Sequence, residues 1–352
     1  MEIFPKTLGT RPRLAVELRA EGIVAARAED AAALLTAVAG SPLDGSSLAI
    51  GLKAGNFADR NRVVAALRET LDTVAGRTGD RRTGDRGRAV TVIVPDATAR
   101  VLLLEFDALP TKPVEAMAVV RFRLKKLLPF DSDHAALSYQ VMSSDKNGVR
   151  VLAVAMPREV LDEYEQAVVA AGYIPGAVLP STLAALAGLE EQQSAVLMVN
   201  AGHGGITTAI VRAGVLLLHR SLELANELPA IGDPDSLLQL PAVDNGYDRI
   251  EEAAAIEAQV LASAEAAMTG REIAQAVSVA AAYFEDTLAS APDAILSAGT
   301  MGAEALGLIL EENGFEGANV REMVGADALA AGAAATHLSR GWLAGVRGAL
   351  KN

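Results

Sequence analysis

Apolar and polar positions alternate with a period of two in several short stretches of this chain and with a helical period in others. Residues 14–27, LAVELRAEGIVAAR, alternate on either side of Gly22 and predict a hairpin. Residues 195–220, AVLMVNAGHGGITTAIVRAGVLLLHR, predict three strands, joined first by a glycine-rich turn and then by an Ala-Gly turn. The two stretches match without a gap: Leu14 with Leu197, Val16 with Val199, Gly22 with Gly205 and Ile23 with Ile206. A strand–turn–strand unit repeated half a chain apart predicts a duplicated α/β protein with a cleft between its halves.

Further strands are predicted at 89–94, 100–106, 135–142, 149–155, 293–299 and 320–323. Helices are predicted at 29–39, at 59–75 with Val63, Leu67, Leu71 and Val74 on one stripe, from Pro113 to Pro129, and at 157–171 before Gly172. Two Ala-rich helices are expected at 249–267 and 270–289, the second opened by a Thr269–Glu272 capping box, with a buried face of Ile273, Val277, Ala280, Phe284 and Leu288. Another helix is expected to end near Gly314, and the tail from Ala326 reads as helical. Strands and helices recur in the same order in both halves, which predicts α/β layers. The repeated RTGDR of residues 77–88 reads as a solvated loop, an anion-binding arm being the alternative, and 226–248 is a polar region with three prolines.

At 352 residues the chain has room for about two domains. The formal net charge of −13 argues against binding a nucleic-acid backbone. The absence of cysteine excludes disulfides and thiolate chemistry. The histidines (His134, His203, His219, His337) lack metal-ligand spacing. The first residues lack an apolar signal region, and no stretch approaches the roughly 20 apolar residues of a spanning helix, so a soluble chain without membrane insertion is expected.

Glycine-rich turns let backbone N–H groups approach a phosphate closely. Asn200, Gly202, Gly204 and Gly205 form such a turn, Thr207 and Thr208 could add a hydroxyl, and Gly299, Thr300 and Gly302 join a strand to a helix N-terminus that suits a phosphate or an adenosine.

The order of these elements resembles the actin-like ATPase superfamily, with its paired phosphate hairpins and late adenosine turn. FDALP (106–110), VVRFRLKKLLPF (119–130), VRVLAVAMP (149–157) and AAGYIPGAVLPSTLAALAGL (170–189) resemble its PilM-like branch of type IV pilus assembly proteins, the FtsA/PilM branch. The resemblance implies an actin-like (ribonuclease H-like) duplicated α/β fold. Its first core would comprise 1–108 and 179–194, around an inserted small α/β domain at 109–178. Its second core would comprise 195–225 and 291–352, around a helical insertion at 226–290.

It implies a cytoplasmic scaffold, peripheral to the inner membrane, that binds the N-terminal tail of a PilN-like membrane protein and other platform proteins, and that forms a homo-oligomer in the assembled machine. It further implies a nucleotide site for ATP with Mg²⁺ at the three turns. Glu17 and Arg19 stand where the family's first hairpin has an Asp-x-Gly pattern, and Asn200 stands where its second has aspartate. Both changes weaken octahedral oxygen coordination of Mg²⁺, so slow or lost hydrolysis is expected, with nucleotide binding left open.

The resemblance places the partner groove at Leu128, Pro129 and Phe130. Arg121 and Lys125, four apart beside the stripe Met117, Val120, Leu124 and Leu127, would form its basic rim. The alternatives are a phosphotransferase of sugars or acids, which needs an aspartate base facing the cleft, and a polymerising relative. Glu105 and Asp107 are candidate acids only by their place at a strand end.

Overall fold

A computed structural model of the chain describes residues 12–76, 87–146, 148–189, 194–224, 248–330, 333 and 338–351, without the side chains of 248–267. Most of the RTGDR repeat, the polar stretch up to Gly246-Tyr247 and His337 lie outside the described residues.

β1 (Leu14–Arg19) and β2 (Gly22–Ala28) form the expected hairpin, β3 (Leu35–Pro42) pairs antiparallel with β2, and α1 (Arg60–Ala75) packs on them. β4 (Ala89–Val94) lies parallel to β1. β5 (Arg100–Phe106), β6 (Ala135–Asp145) and β7 (Gly148–Pro157) make a separate sheet in the order β5-β7-β6, covered by α2 (Pro113–Leu124). α3 (Arg158–Ala170) and β8 (Ile174–Pro180) return to the first sheet, whose order is β3-β2-β1-β4-β8, and α4 (Ser181–Ala187) follows. The small sheet thus starts at Arg100. α3 and β8, grouped with the small domain on sequence, lie in the layers of the first sheet.

The second half repeats the plan. β9 (Val196–Gly202), β10 (Gly205–Arg212) and β11 (Val215–Glu223) form an antiparallel meander, and α5 (Asp248–Leu288) covers it. β12 (Ile295–Gly299), α6 (Gly302–Glu312), β13 (Val320–Glu322) and α7 (Leu343–Leu350) complete the half, in sheet order β11-β10-β9-β12-β13.

Strand alternation decides which side chains meet between the halves. On β1, Leu14, Val16 and Leu18 face α1 and α3, while Ala15 faces the central layer of α4 and α7. On β9, Leu197, Val199 and Ala201 face α5 and α6, while Met198 faces that same central layer. The alternation therefore puts Glu17, Arg19 and Asn200 between the halves. α4 and α7 cross there in close contact. A Cβ on Gly348 would overlap the Ala184 carbonyl and lie 2.8 Å from Gly188 N.

α1 follows its sequence signal: Asp59 caps it by accepting from Arg62 N, and Val63, Leu67, Leu71 and Val74 are buried. Each fully buried aliphatic side chain of this kind contributes about 1.5–3 kcal/mol.

Several expectations are corrected. Residues 29–39 do not form a helix. Asp30 accepts from Leu34 N, Ala33 takes a positive φ, and the chain then pairs with β2 as β3. Edge pairing here overrides the helical preference of alanine. The two expected Ala-rich helices are one continuous α5. Thr269 is buried within it, and Gly270 faces Ile309 of α6 and Asn313 at the end of that helix, so the glycine marks a helix contact rather than a break. α2 stops at Leu124, a turn before Pro129, and leaves Leu127 49% exposed, outside the predicted stripe. The tail has a 3-10 turn at Ala326–Ala328, another at Arg340–Trp342, and α-helix only at α7 among the described residues.

Candidate functional site

Arg19, at the end of β1, is nearly buried, and Glu17 beside it is fully buried. Arg19 Nε donates to Glu17 Oε1 at 2.7 Å, and its Nη2 donates to Ser181 Oγ at 2.6 Å and Asn200 Oδ1 at 2.8 Å. Ser181 Oγ donates to Glu17 Oε1 at 2.6 Å. Burial opposes the charge on Arg19, yet Glu17, Glu21 and Asp96 together raise its pKa above the ordinary value.

The amide of Asn200 is oriented by its neighbours. Its oxygen faces Arg19, while its Nδ2 donates to Thr182 Oγ1 at 2.9 Å, Ser181 Oγ at 3.0 Å and Asp96 Oδ2 at 3.4 Å. Asp96 also accepts from Thr182 N at 2.9 Å and Thr182 Oγ1 at 2.5 Å. An aspartate at 200 would lose these donors and set a second carboxylate against Asp96. The two departures from the family pattern are therefore coupled, because Arg19 supplies the cation and Asn200 supplies the donors that the network requires.

Glu21, in the turn between β1 and β2, reaches across to the second half. Its Oε1 accepts from His203 N at 2.5 Å and from Thr300 Oγ1 at 2.5 Å. A Cβ on Gly202 would stand 2.7 Å from Glu21 Oε1, 3.0 Å from Thr300 Oγ1 and 3.1 Å from Arg19 Nη1. Glycine is required here because side chains of the first half fill the space. Gly204 gives the turn its positive φ, and Gly205 opens β10. Thr207 shares a hydrogen bond of 2.9 Å with Ser221, its partner on β11.

The late turn is also occupied from within the chain. Gly299 and Gly302 have positive φ, but Glu322 Oε1 accepts from Ala303 N at 2.9 Å at the start of α6. Ser339 Oγ donates to the carbonyls of Gly299 and Thr300 at 3.2 and 3.3 Å.

Beside the network lies a cleft of about 970 Å³, lined by residues of both halves, among them Arg19, Glu21, Asp96, His203 and His219. Gly299, Thr300 and Gly302 are not among its walls. His219 Nε2 is buried without a hydrogen-bond partner. Burial lowers the pKa of His219, against the opposing pull of Asp96, so the ring is neutral near pH 7.

These residues do not fit a magnesium-bound nucleotide. The guanidinium of Arg19 fills the space before Gly202, and Glu21 and Glu322 take N–H groups of the two glycine turns. Among the described residues no group of three or more His, Asp or Glu side chains could hold a metal ion.

No protein-family model and no curated protein matches the sequence. Solved structures do match. One titled as a PilM-PilN type IV pilus biogenesis complex aligns with 91% of this chain and 90% of its own, at 19% identity and a TM-score of 0.64. The fold is actin-like. More distant likenesses include a Bacteroides thetaiotaomicron protein of actin-like ATPase fold and unknown function (9% identity, 90% of this chain and 93% of that one, TM-score 0.42). A ROK hexokinase from Thermus thermophilus also aligns (14% identity, 96% of each chain, TM-score 0.33).

In this actin-like chain the proposed partner residues lie at the end of α2. Arg121 donates to the Ser132 carbonyl, and Lys125 pairs with Asp133 at 3.4 Å. Leu128 is half-buried against the core of the small sheet, Phe130 is half-buried and Pro129 is exposed. Glu105 pairs with Arg150 on the small sheet at 3.0 Å and Asp107 is exposed, so neither acid belongs to the cleft. Sequence reasoning missed Glu21, Asp96, Ser181, Thr182 and Glu322. The available signal was position: Asp96 follows the most strand-like segment, and Ser181 and Thr182 open a helix directly after a strand. Among the described residues no helix is long and apolar enough to cross a membrane.

Proposed function

We propose that this chain is a cytoplasmic scaffold of a type IV pilus inner-membrane platform that receives the N-terminal tail of a PilN-like membrane protein. Its likeness along nearly the whole chain to the PilM-PilN complex structure supports this reading. The observation that carries the scaffold assignment, against an enzyme, is the side-chain network that joins the two glycine-rich hairpins beside the cleft. Arg19 and Glu21 of the first half are hydrogen-bonded to the second half where a nucleotide's phosphates would need those groups.

The network acts as a strut. It joins the β1–β2 turn, α4 and β9. The tail would enter as an extended segment held by main-chain bonds and side-chain pockets. Leu128, Pro129 and Phe130 would form the apolar wall, with Arg121 and Lys125 at the rim. Hydrolysis would be lost or very slow, since Asp96, a carboxylate on the cleft wall, is held by hydrogen bonds from Thr182 and Asn200 to its two oxygens.

Calorimetric titration with a synthetic N-terminal tail of a cognate PilN-like protein tests the proposal. One-to-one binding that Phe130→Ala weakens by at least about tenfold, roughly 1.4 kcal/mol, is expected. A folded protein that gives no heat with the peptide would overturn it.

A further inference from the structure

Three turns from the two halves meet on one carboxylate. Glu21 stands in the β1–β2 turn, His203 in the β9–β10 turn and Thr300 between β12 and α6. Oε1 of Glu21 accepts from His203 N and from Thr300 Oγ1, each at 2.5 Å. Arg19 borders the same spot: the position a Cβ of Gly202 would take lies 2.7 Å from Glu21 Oε1, 3.0 Å from Thr300 Oγ1 and 3.1 Å from Arg19 Nη1. A backbone N–H, a hydroxyl and a guanidinium around one point make a seat for a negative oxygen.

The carboxylate is mounted firmly on the first half. The Glu21 carbonyl accepts from Leu43 N at 3.0 Å. Gly22 beside it has no room for a Cβ, which would stand 2.6 Å from Ser41 O and 3.2 Å from Trp342. The seat is firm as well. Arg19 is held by Glu17, Ser181 and Asn200, so it cannot swing aside for a bulky anion without breaking those bonds. A phosphoryl group would also need donors beyond the seat, and Glu322 already takes Ala303 N at the start of α6. The space and the donors suit a planar group with two oxygens.

We propose that His203 N, Thr300 Oγ1 and Arg19 form a carboxylate-binding site that Glu21 fills in cis, and that a free small monocarboxylate takes the site once the Glu21 side chain is withdrawn. Filled from within the chain, the site latches the β1–β2 turn of the first half to two turns of the second. A tethered carboxylate reaches the seat at a high effective concentration, so the wild-type chain keeps free ones out. The inference goes beyond the scaffold reading, and its test uses neither the partner tail nor a nucleotide.

Calorimetric titration of the full chain carrying Glu21→Ala with sodium formate, against sodium chloride at equal ionic strength, tests the proposal. One-to-one binding with a dissociation constant of about 1–10 mM is expected. At about 100 mM formate the melting temperature should rise by at least about 2 °C over the chloride control. Wild-type protein, with its seat filled, is expected to bind formate at least about tenfold more weakly. Adding Thr300→Val to Glu21→Ala removes a donor to the charged group and should weaken formate by at least about tenfold. If Glu21→Ala is unfolded in chloride, circular dichroism decides: a fold regained in about 100 mM formate supports the site, and a chain that stays unfolded overturns it. A folded Glu21→Ala that binds no formate, a wild type that binds it equally well, or a Thr300→Val change without effect would also overturn it. So would binding of inorganic phosphate without binding of formate, which would make the seat a phosphoryl site.

Discussion

The two hairpins share one topology and differ in what they place at the cleft. In the first, β1 and its turn contribute Glu17, Arg19 and Glu21; in the second, the corresponding positions are Asn200, Gly202 and Gly204. Side chains from one hairpin occupy the room left by glycines in the other, with a would-be Cβ of Gly202 only 2.7 Å from Glu21. Glycines that read as a phosphate cradle on sequence are explained here by close approach of the chain to itself. The duplicated architecture is intact in both sheets, while the chemistry between the hairpins has become a hydrogen-bonded joint.

Substitutions that unbalance the hairpins test this contrast. Arg19→Leu should have the largest effect, because it strands the buried Glu17 carboxylate. A loss of about 3–5 kcal/mol in urea unfolding is expected, and a loss under about 1 kcal/mol would show that the pair is not the joint. Gly202→Val gives the second hairpin a side chain where the first already projects, and should lose about 1–3 kcal/mol through overpacking. Gly204→Ala has open space before it and a φ of 75°, so only backbone strain of about 1–2 kcal/mol is expected. Equal costs at 202 and 204 would remove the packing argument. Glu21→Gln keeps an acceptor and removes the charge, and should cost about 0.5–1.5 kcal/mol.

Stability is also expected to depend on pH. The pKa of His219 is lowered in the folded protein by burial, so below the ordinary value of 6.5 the unfolded chain binds a proton that the folded chain does not. The contribution is complete above that value and is lost as pH falls toward the folded pKa. Melting temperature should therefore drop on acidification below pH 6.5, and less so in His219→Gln. An equal slope in both proteins would assign the effect to other groups.

The two hairpins, β4, the small sheet, β12 and β13 are legible because alternation and glycine turns are local signals, whereas β3 and β8 of the first sheet are not. The hairpin match even located the cleft, since Glu17, Arg19 and Asn200 all project between the halves. What was not legible depends on contacts distant in sequence. Glu21 has meaning only beside His203 and Thr300, and Asp96 only beside Thr182 and Asn200. β3 was read as a helix because alanine favours one, whereas pairing with β2 decides its state. The break expected at Thr269-Gly270 reflected local capping chemistry. Contact with α6 gives that glycine another reason, which no helix-cap pattern encodes.

Titration of the folded wild-type chain with Mg-ATP tests the central claim most directly. If Arg19, Glu21 and Glu322 fill the nucleotide positions, calorimetry should show no binding heat, and the melting temperature should not move even at about 1 mM nucleotide, a concentration that would detect millimolar affinity. One-to-one binding with a dissociation constant in the range of about 1–10 μM would contradict it. Such binding would mean that the network opens and that the two hairpins still act as a phosphate cradle.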